Sequence, residues 1–295
     1  MDISIIICCY NSESRITSTL EHLAKQKIEN LQLEVILVDN NCSDNTAKVA
    51  IEVWSKFGNP FCLSILTEPT PGLSYARKKG VLSAKGEIIV FCDDDNWLNE
   101  NYLSIAFEIM KNDASIGVLA GQSRAVSDIE IPTWFYTYYG AYACGVLATH
   151  SGDVSTRLWV WGAGMVVRKS VMGKLYSKYI HTTKDRTKDS MESGGDVEIC
   201  YWHILEDKKL WYDERLKLKH FMPSERLNIE SAEKQFNAQD ESSKKLGALT
   251  ELSSRYIDYR IGNLNIQRIF SDLFKLRMRS GLKSLKYYLM FKFSI

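Results

Sequence analysis

Three consecutive carboxylates, Asp93-Asp94-Asp95, follow directly on the apolar run Ile88 to Cys92. Like charges at that spacing repel unless a cation or several donors compensate them, and hard divalent ions favour oxygen ligands. If extended geometry persists, Asp93 and Asp95 share a side; a solvated acidic turn is the plainer alternative. A second acid, Asp39, closes another apolar run in Val38-Asp39-Asn40-Asn41-Cys42-Ser43-Asp44, where a carboxylate can accept hydrogen bonds from a ribose or a base. Asp44 also has a structural use, because an acid in the first turn of a helix is favoured by the macrodipole. Asp196 stands after Gly194-Gly195 at an expected helix start, with Glu198 two residues on. Two carboxylates beside glycines fit a general base, and Asp196 equally fits ordinary N-capping. His220, ahead of Phe221-Met222-Pro223, reads as a metal ligand or a core histidine, and His150, His181, Lys184 and Lys188 fall in polar loops.

These groups need elements to gather them. Ile3 to Cys9 and Leu33 to Val38 are nearly continuous apolar runs, as strands buried on both faces are. Phe61 to Leu66 and Ile88 to Cys92 are further strand candidates. Between them lie three expected helices: one capped by Asn11 and Ser12 and carrying Ile16, Leu20 and Leu23, one opened by Ser43-Asp44, and one over Gly72 to Ala84. This alternation predicts an α/β fold with a mostly parallel sheet, helices on both faces and ligands beyond the carboxyl ends of the strands. Tyr10-Asn11, Asp39-Asn40-Asn41 and Asp93 to Asn96 all fall on that rim. The second half is less regular, with a strand expected over Trp159 to Val167, a helix from Asp196 to Asp207 and a strand from Leu210 to Phe221 with a turn at Asp213-Glu214. From about Asn228 the chain turns helical, which predicts a division into residues 1–225 and a helical extension, 226–295.

Composition narrows the classes. With 45% hydrophobic and 25% charged residues among 295, disorder, collagen and coiled coil are excluded, and a net charge of +1 gives no reason to expect nucleic-acid binding. Seven cysteines, an odd number without CxxC spacing, argue against a disulfide framework or a zinc site and for a reducing, cytoplasmic setting. No positive leader or membrane-spanning run is visible. No GxGxxG follows the first strand, which disfavours a nicotinamide or flavin enzyme. A haloacid-type phosphatase also uses Asp-x-Asp after a strand, but on an early strand and followed by Thr or Val where Trp97 stands.

In combination the motifs resemble the inverting glycosyltransferases of family 2, which have the GT-A nucleotide-sugar-binding fold. The resemblance covers about Ile3 to Pro223. It rests on Ser4-Ile-Ile-Ile-Cys-Cys-Tyr-Asn11, Val35-Ile-Leu-Val-Asp39 with Asn41-Cys-Ser-Asp44, Gly72-Leu-Ser-Tyr-Ala-Arg77 and Gly86-Glu-Ile-Ile-Val-Phe-Cys-Asp-Asp-Asp95. Trp161-Gly-Ala-Gly-Met165, Gly194-Gly-Asp-Val-Glu198 and Trp211-Tyr-Asp213 to His220 continue it. It implies a metal-dependent enzyme moving a single sugar from a nucleotide sugar, a UDP- or GDP-sugar, to a glycan or lipid-linked acceptor in bacterial polysaccharide assembly.

By the same resemblance Asp39 reads the base, with Cys9, Tyr10 and Asn11 lining that pocket, and Asp93 contacts ribose. Asp95 coordinates Mg²⁺ or Mn²⁺, with Asp93 and His220 as further ligands, and Asp94 shares either task. Arg77 meets phosphate or steadies the acidic cluster, and Gly164, in the Gly162 to Gly164 turn, lines the sugar side. Asp196 matches the general base of a Glu-Asp pair whose Glu is here Gly195, and Glu198 is the second candidate for that role. The Gln-x-x-Arg-Trp motif of processive synthases is absent after Asp196, which implies single transfer. A catalytically inactive nucleotide-sugar or glycan-binding protein is the alternative. A nucleotidyltransferase would need a glycine-rich loop after the first strand, which is missing. Finally, residues 268–295 carry seven basic residues against one acid, Asp272, interleaved with leucines, a composition that can lie on an anionic membrane surface.

Overall fold

In the computed structural model of the chain the described residues are 1–178, 185–187, 190 and 192–262. The basic segment 268–295, His181, Lys184 and Lys188 lie outside them. Sixteen α-helices and β-strands follow in order among the described residues. They are β1 (Ile3–Cys9), α1 (Ile16–Ala24), β2 (Leu33–Asp39), α2 (Thr46–Lys56), β3 (Cys62–Thr67), α3 (Leu73–Ser83), β4 (Ile88–Phe91) and β5 (Asn96–Leu98), then α4 (Tyr102–Asn112), β6 (Ile116–Val126), β7 (Gly152–Asp153), β8 (Val166–Arg168), α5 (Lys169–Lys178), α6 (Gly195–Leu205), β9 (Lys209–Phe221) and α7 (Ile229–Arg260).

One nine-stranded sheet runs β3-β2-β1-β4-β8-β6-β9-β5, with β7 also paired to β9. The expected parallel arrangement holds for β3, β2, β1 and β4. Beyond β4 the sheet is mixed: β8 runs antiparallel to both β4 and β6, β6 and β9 are parallel, and β5 and β7 are antiparallel to β9. Successive side chains of a strand face opposite ways, so each strand of a covered sheet feeds two cores. Ile3, Ile5 and Ile7 pack with Leu20 of α1, Trp54 of α2 and Leu103 of α4. Ile6 points to the other face, where Val81 of α3, Leu175 of α5, Trp202 of α6 and Leu249 of α7 complete the second core. No helix among the described residues is long and apolar enough to cross a membrane.

Three local expectations are corrected. Helix α1 starts at Ile16, later than a cap at Asn11 and Ser12 would place it, because the Ser12 hydroxyl is engaged by Asp94. Of the run Trp159 to Val167 only Val166 and Val167 are strand, the start of β8, since Leu158 and Gly164 adopt left-handed φ of 69° and 70° that an extended ladder does not accommodate. The Asp213-Glu214 turn does not divide the last strand. The register instead jumps from Ala120↔Tyr212 to Gln122↔Lys217, so residues 213–216 bulge opposite Gly121.

Candidate active site

Because β1, β2 and β4 are parallel, their carboxyl ends deliver Cys9-Tyr10, Asp39-Asn40 and Cys92-Asp93 to one rim. That rim floors a cavity of 1320 Å³ whose far wall is α7. Cys8, Cys9, Tyr10, Arg77, Asp93, Asp94, Asp95, Asp196 and His220 all line it. Asn11, Asp39, Gly164 and Glu198 do not.

The acidic triplet is the connection between β4 and β5, closed by an Asn96 N–H to Asp93 carbonyl hydrogen bond of 3.0 Å. Its three members have different environments. Asp94 is committed to the fold: its carboxylate accepts from the Ser12 hydroxyl and pairs with Arg15 at 2.8 Å. Asp95 faces two cations, His220 Nε2 and Arg226 Nη1, each at 3.3 Å. The β5–β9 pairing Asn96↔His220 is what brings the histidine there. Asp93 alone of the three has a carboxylate without a hydrogen-bond or ion-pair partner among the described residues.

Charge follows from these environments. Burial, together with the Asp95 carboxylate, pushes Asp93 up to about 6, against the opposing pull of Arg77. For Asp95 burial also acts upward but is outweighed by His220, Arg226 and Arg15, which hold it well below the usual carboxylate range. Burial would lower His220, yet the Asp95 carboxylate pushes it up to about 10, so the imidazole is a cation as it stands. No three His, Cys, Asp or Glu side chains among the described residues converge closely enough to hold a metal ion by themselves.

On the opposite wall, α6 places Asp196 in its first turn, where Oδ2 accepts the Gly162 N–H at 3.0 Å and Oδ1 accepts that of Val197 at 2.9 Å. Glu198, two residues on, is 0% exposed and belongs to the core face of α6. Arg77, from α3, is buried between these walls, bonded to Asp185 through Nη1 at 2.6 Å and stacked 5.6 Å from the Phe91 ring centre. Burial works against its charge, but Asp185, Asp93 and Asp196 together keep it firmly protonated. Gly164 is structural in its contacts: its carbonyl accepts from the Tyr102 hydroxyl at 2.8 Å, and a Cβ there would lie 2.6 Å from Leu218 Cδ2.

At the β2 end, Asp39 Oδ1 accepts the Cys42 N–H at 2.9 Å, and Asn11 Oδ1 accepts that of Ser43 at 2.8 Å. Both thereby shape the loop over Cys9 and Tyr10. Asp44 lies just before α2 rather than in its first turn, and accepts from the Thr46 and Glu13 backbone N–H groups, a structural use of another kind. Sequence reasoning missed Asn40, whose side chain bonds Glu68 and Thr70 carbonyls and the Gly72 N–H and so fixes the entry to α3. It also missed Arg15, Arg226 and Asp185. All seven cysteines are free thiols, and burial pushes Cys8 up to about 12, which removes it as a nucleophile.

Comparison with known proteins agrees with this geometry. Residues 4–152 match the model of Glycosyl transferase family 2. A putative glycosyltransferase, EpsH of Bacillus subtilis, is 33% identical over 100 residues, which make up 34% of this chain and 28% of that protein. The poly(ribitol-phosphate) beta-N-acetylglucosaminyltransferase TarS of Staphylococcus aureus is 32% identical over 108 residues, 36% of this chain and 18% of that protein. The matched stretch thus spans less than a third of either relative's length. Among solved structures, S. aureus TarS 1-349 in complex with UDP-GlcNAc aligns with a TM-score of 0.59 at 17% identity, covering 99% of this chain and 81% of that one. The mannosyltransferase PcManGT from Pyrobaculum calidifontis, in complex with GDP-Man and Mn²⁺, aligns at 0.57 and 13% identity, covering 98% and 83%. The structural likeness shows the GT-A fold, and since the family model spans just over half of the sequence, the chain belongs to glycosyl transferase family 2.

Proposed function

We propose that the protein is a metal-dependent, inverting glycosyltransferase. It moves one sugar from a nucleoside-diphosphate sugar to a hydroxyl of a glycan or lipid-linked glycan in polysaccharide assembly. The observation that carries this reading is the cavity itself, with a partnerless Asp93 beside Asp95 and His220 on one side and an oriented Asp196 on the other. In this reading the loop of Cys9, Tyr10, Asn11 and Asp39 receives the base, and Asp93 takes the ribose hydroxyls or a metal position.

The residues present fit a divalent ion as a partial set. Asp93 and Asp95 supply carboxylate oxygens of the kind Mg²⁺ and Mn²⁺ accept, the Asp93 carboxylate is uncommitted, and diphosphate oxygens would complete the sphere; His220, a cation facing Asp95, would join as a ligand only on giving up its proton. When bound, such an ion neutralises charge developing on the departing diphosphate. Arg226 and Arg15, already facing the acidic triplet, add positive potential at the same end. Asp196 is the group that takes the proton of the acceptor hydroxyl as the new bond forms on the face opposite the leaving group. Glu198, buried away from the cavity, is not given that role. The basic segment 268–295 we assign to an anionic membrane surface.

The fold relatives' ligands, UDP-GlcNAc in one and GDP-Man with Mn²⁺ in the other, select the first probes. Calorimetry with UDP, GDP and dTDP, with and without Mn²⁺, should give metal-dependent binding of one nucleotide, lost in Asp95→Ala. Failure of every nucleotide to bind under both conditions would overturn the donor-site reading and favour a glycan-binding protein without turnover.

A further inference from the structure

Gly195 is glycine for want of space. Its neighbour Gly194 has a left-handed φ of 103°, but Gly195 is the first residue of α6 and is not among the residues of positive φ, so its backbone would accept any side chain. What forbids one is Asp185: a Cβ on residue 195 would lie 2.3 Å from Asp185 Oδ2 and 3.0 Å from Arg77 Nη1. Asp185 is 4% exposed and itself left-handed, with φ of 57°, a conformation aspartate tolerates better than most residues but which still needs compensation. Its bond to Arg77 at 2.6 Å supplies that compensation, and the Arg186 carbonyl next to it accepts the Leu73 N–H at 3.0 Å, tying this turn to the start of α3.

Arg77 stands between two claims. One nitrogen, Nη1, is held by Asp185; the other, Nη2, is 3.5 Å from the position of a Cβ on Gly162, whose N–H binds Asp196 Oδ2. Without Asp185 the nearest uncompensated acids for this buried guanidinium are Asp196 and Asp93, and a buried cation that loses its partner recruits another.

We propose that Asp185 is a positioning residue of the transfer reaction: its carboxylate fills the volume vacated by the missing side chain of residue 195 and holds Arg77 away from Asp196. The Asp196 lone pairs then stay available to the acceptor hydroxyl. This rests on the reading of Asp196 as proton acceptor. It makes residues 185 and 195 a single unit in which one carboxylate, arriving from either position, satisfies Arg77.

The test is a set of four full-length proteins in the presence of Mn²⁺: wild type, Asp185→Ala, Gly195→Glu and the double variant. Hydrolysis of UDP-GlcNAc and GDP-mannose, calorimetric binding of the corresponding nucleoside diphosphate and thermal melting are read on each. Asp185→Ala should lose about 10²-fold in kcat, the scale of a misplaced catalytic constellation, with donor KM and nucleotide affinity nearly unchanged. Gly195→Glu should also be impaired, because two carboxylates compete for one volume. The double variant should recover most of the kcat lost by Asp185→Ala, since a side chain at 195 is aimed at Arg77. Full kcat in Asp185→Ala, or a double variant no better than that single one, would overturn the proposal. A wild type that hydrolyses neither donor means that the donor is another nucleotide sugar or that the transfer reading fails. In that case the melting temperatures decide the 185–195 unit: mutual rescue supports it, and additive losses sink it.

Discussion

In the proposed reaction Asp196 takes the acceptor proton, and its two oxygens are not equivalent. Oδ1 is occupied by the following N–H of its own helix, whereas Oδ2 reaches across to Gly162 on the cavity wall. The carboxylate is thus held in one orientation before any substrate arrives, as a general base needs to be. Replacing it with asparagine keeps the size and an oxygen for Gly162 but removes the proton acceptor. We expect Asp196→Asn to lose about 10²- to 10⁴-fold in turnover while still binding nucleotide, and Glu198→Gln to leave nucleotide binding equally intact. Measured kcat beside calorimetric affinity separates the roles, and near-full activity of Asp196→Asn would remove Asp196 as the base. At this scale the sequence was partly legible. Adjacent carboxylates after a strand announce themselves, but their inequivalence does not. That Asp94 is consumed by Ser12 and Arg15 while Asp93 is left free depends on partners about eighty residues away, and Asp185 meets Arg77 across 108 residues.

At the scale of elements, legibility followed periodicity. Strands β1, β2 and β4 are read from the sequence because both faces are buried and the apolar run is unbroken. The sequence reading assigns no element between Cys92 and Trp134, where α4 and β6 lie: the small and polar residues at the end of β6 give no clean period, whereas Tyr102, Leu103, Ala106 and Met110 of α4 recur at helical spacing and are a signal left unread. Helix α6 is a third case, recognised from the glycines and acid at its start and not from amphipathicity, since Glu198 to Leu205 are all buried. Its burial encloses His203, whose Nδ1 bonds the Ile199 carbonyl at 2.8 Å while Nε2 has no partner. Burial pushes this histidine down to about 4 from an ordinary 6.5. Above pH 6.5 it is neutral in both folded and unfolded chains and contributes nothing to pH dependence. Between 6.5 and about 4 the unfolded chain takes up a proton that the folded one refuses, so stability falls as pH falls. The full shift corresponds to about 3 kcal/mol. Urea unfolding of wild type and His203→Gln from pH 7 to 4.5 should show their stability difference moving against the wild type by about 2 kcal/mol as acid is added; parallel curves would show that His203 does not titrate in this way.

For the whole molecule, the decisive feature is that α7 belongs both to the core and to the cavity. Leu246, Leu249, Leu252 and Ile257 join the hydrophobic cluster of α3, α5 and α6, while Gln235, Gln239 and Thr250 on the same helix line the chamber opposite the acidic rim. Helix α7, fixed against the body, ends at Arg260, and the basic segment 268–295 follows it in the sequence. With a net charge of only +1 for the whole sequence, the seven basic residues there leave the rest of the chain net acidic. An anionic bilayer would therefore repel the body and attract the segment, which favours tethering through 268–295 over flat adsorption, each basic residue near the surface adding about 1 kcal/mol. Phosphatidylglycerol vesicles should bind the intact protein in low salt and release it as ionic strength rises, and phosphatidylcholine vesicles should bind it weakly. Deleting residues 275–295 should abolish sedimentation with the anionic vesicles while leaving nucleotide binding in place, because the donor end of the cavity is built entirely from residues before α7. Unchanged sedimentation of the truncated chain would sink the membrane assignment without touching the donor site, whereas loss of both activities would mean that the segment supports the fold.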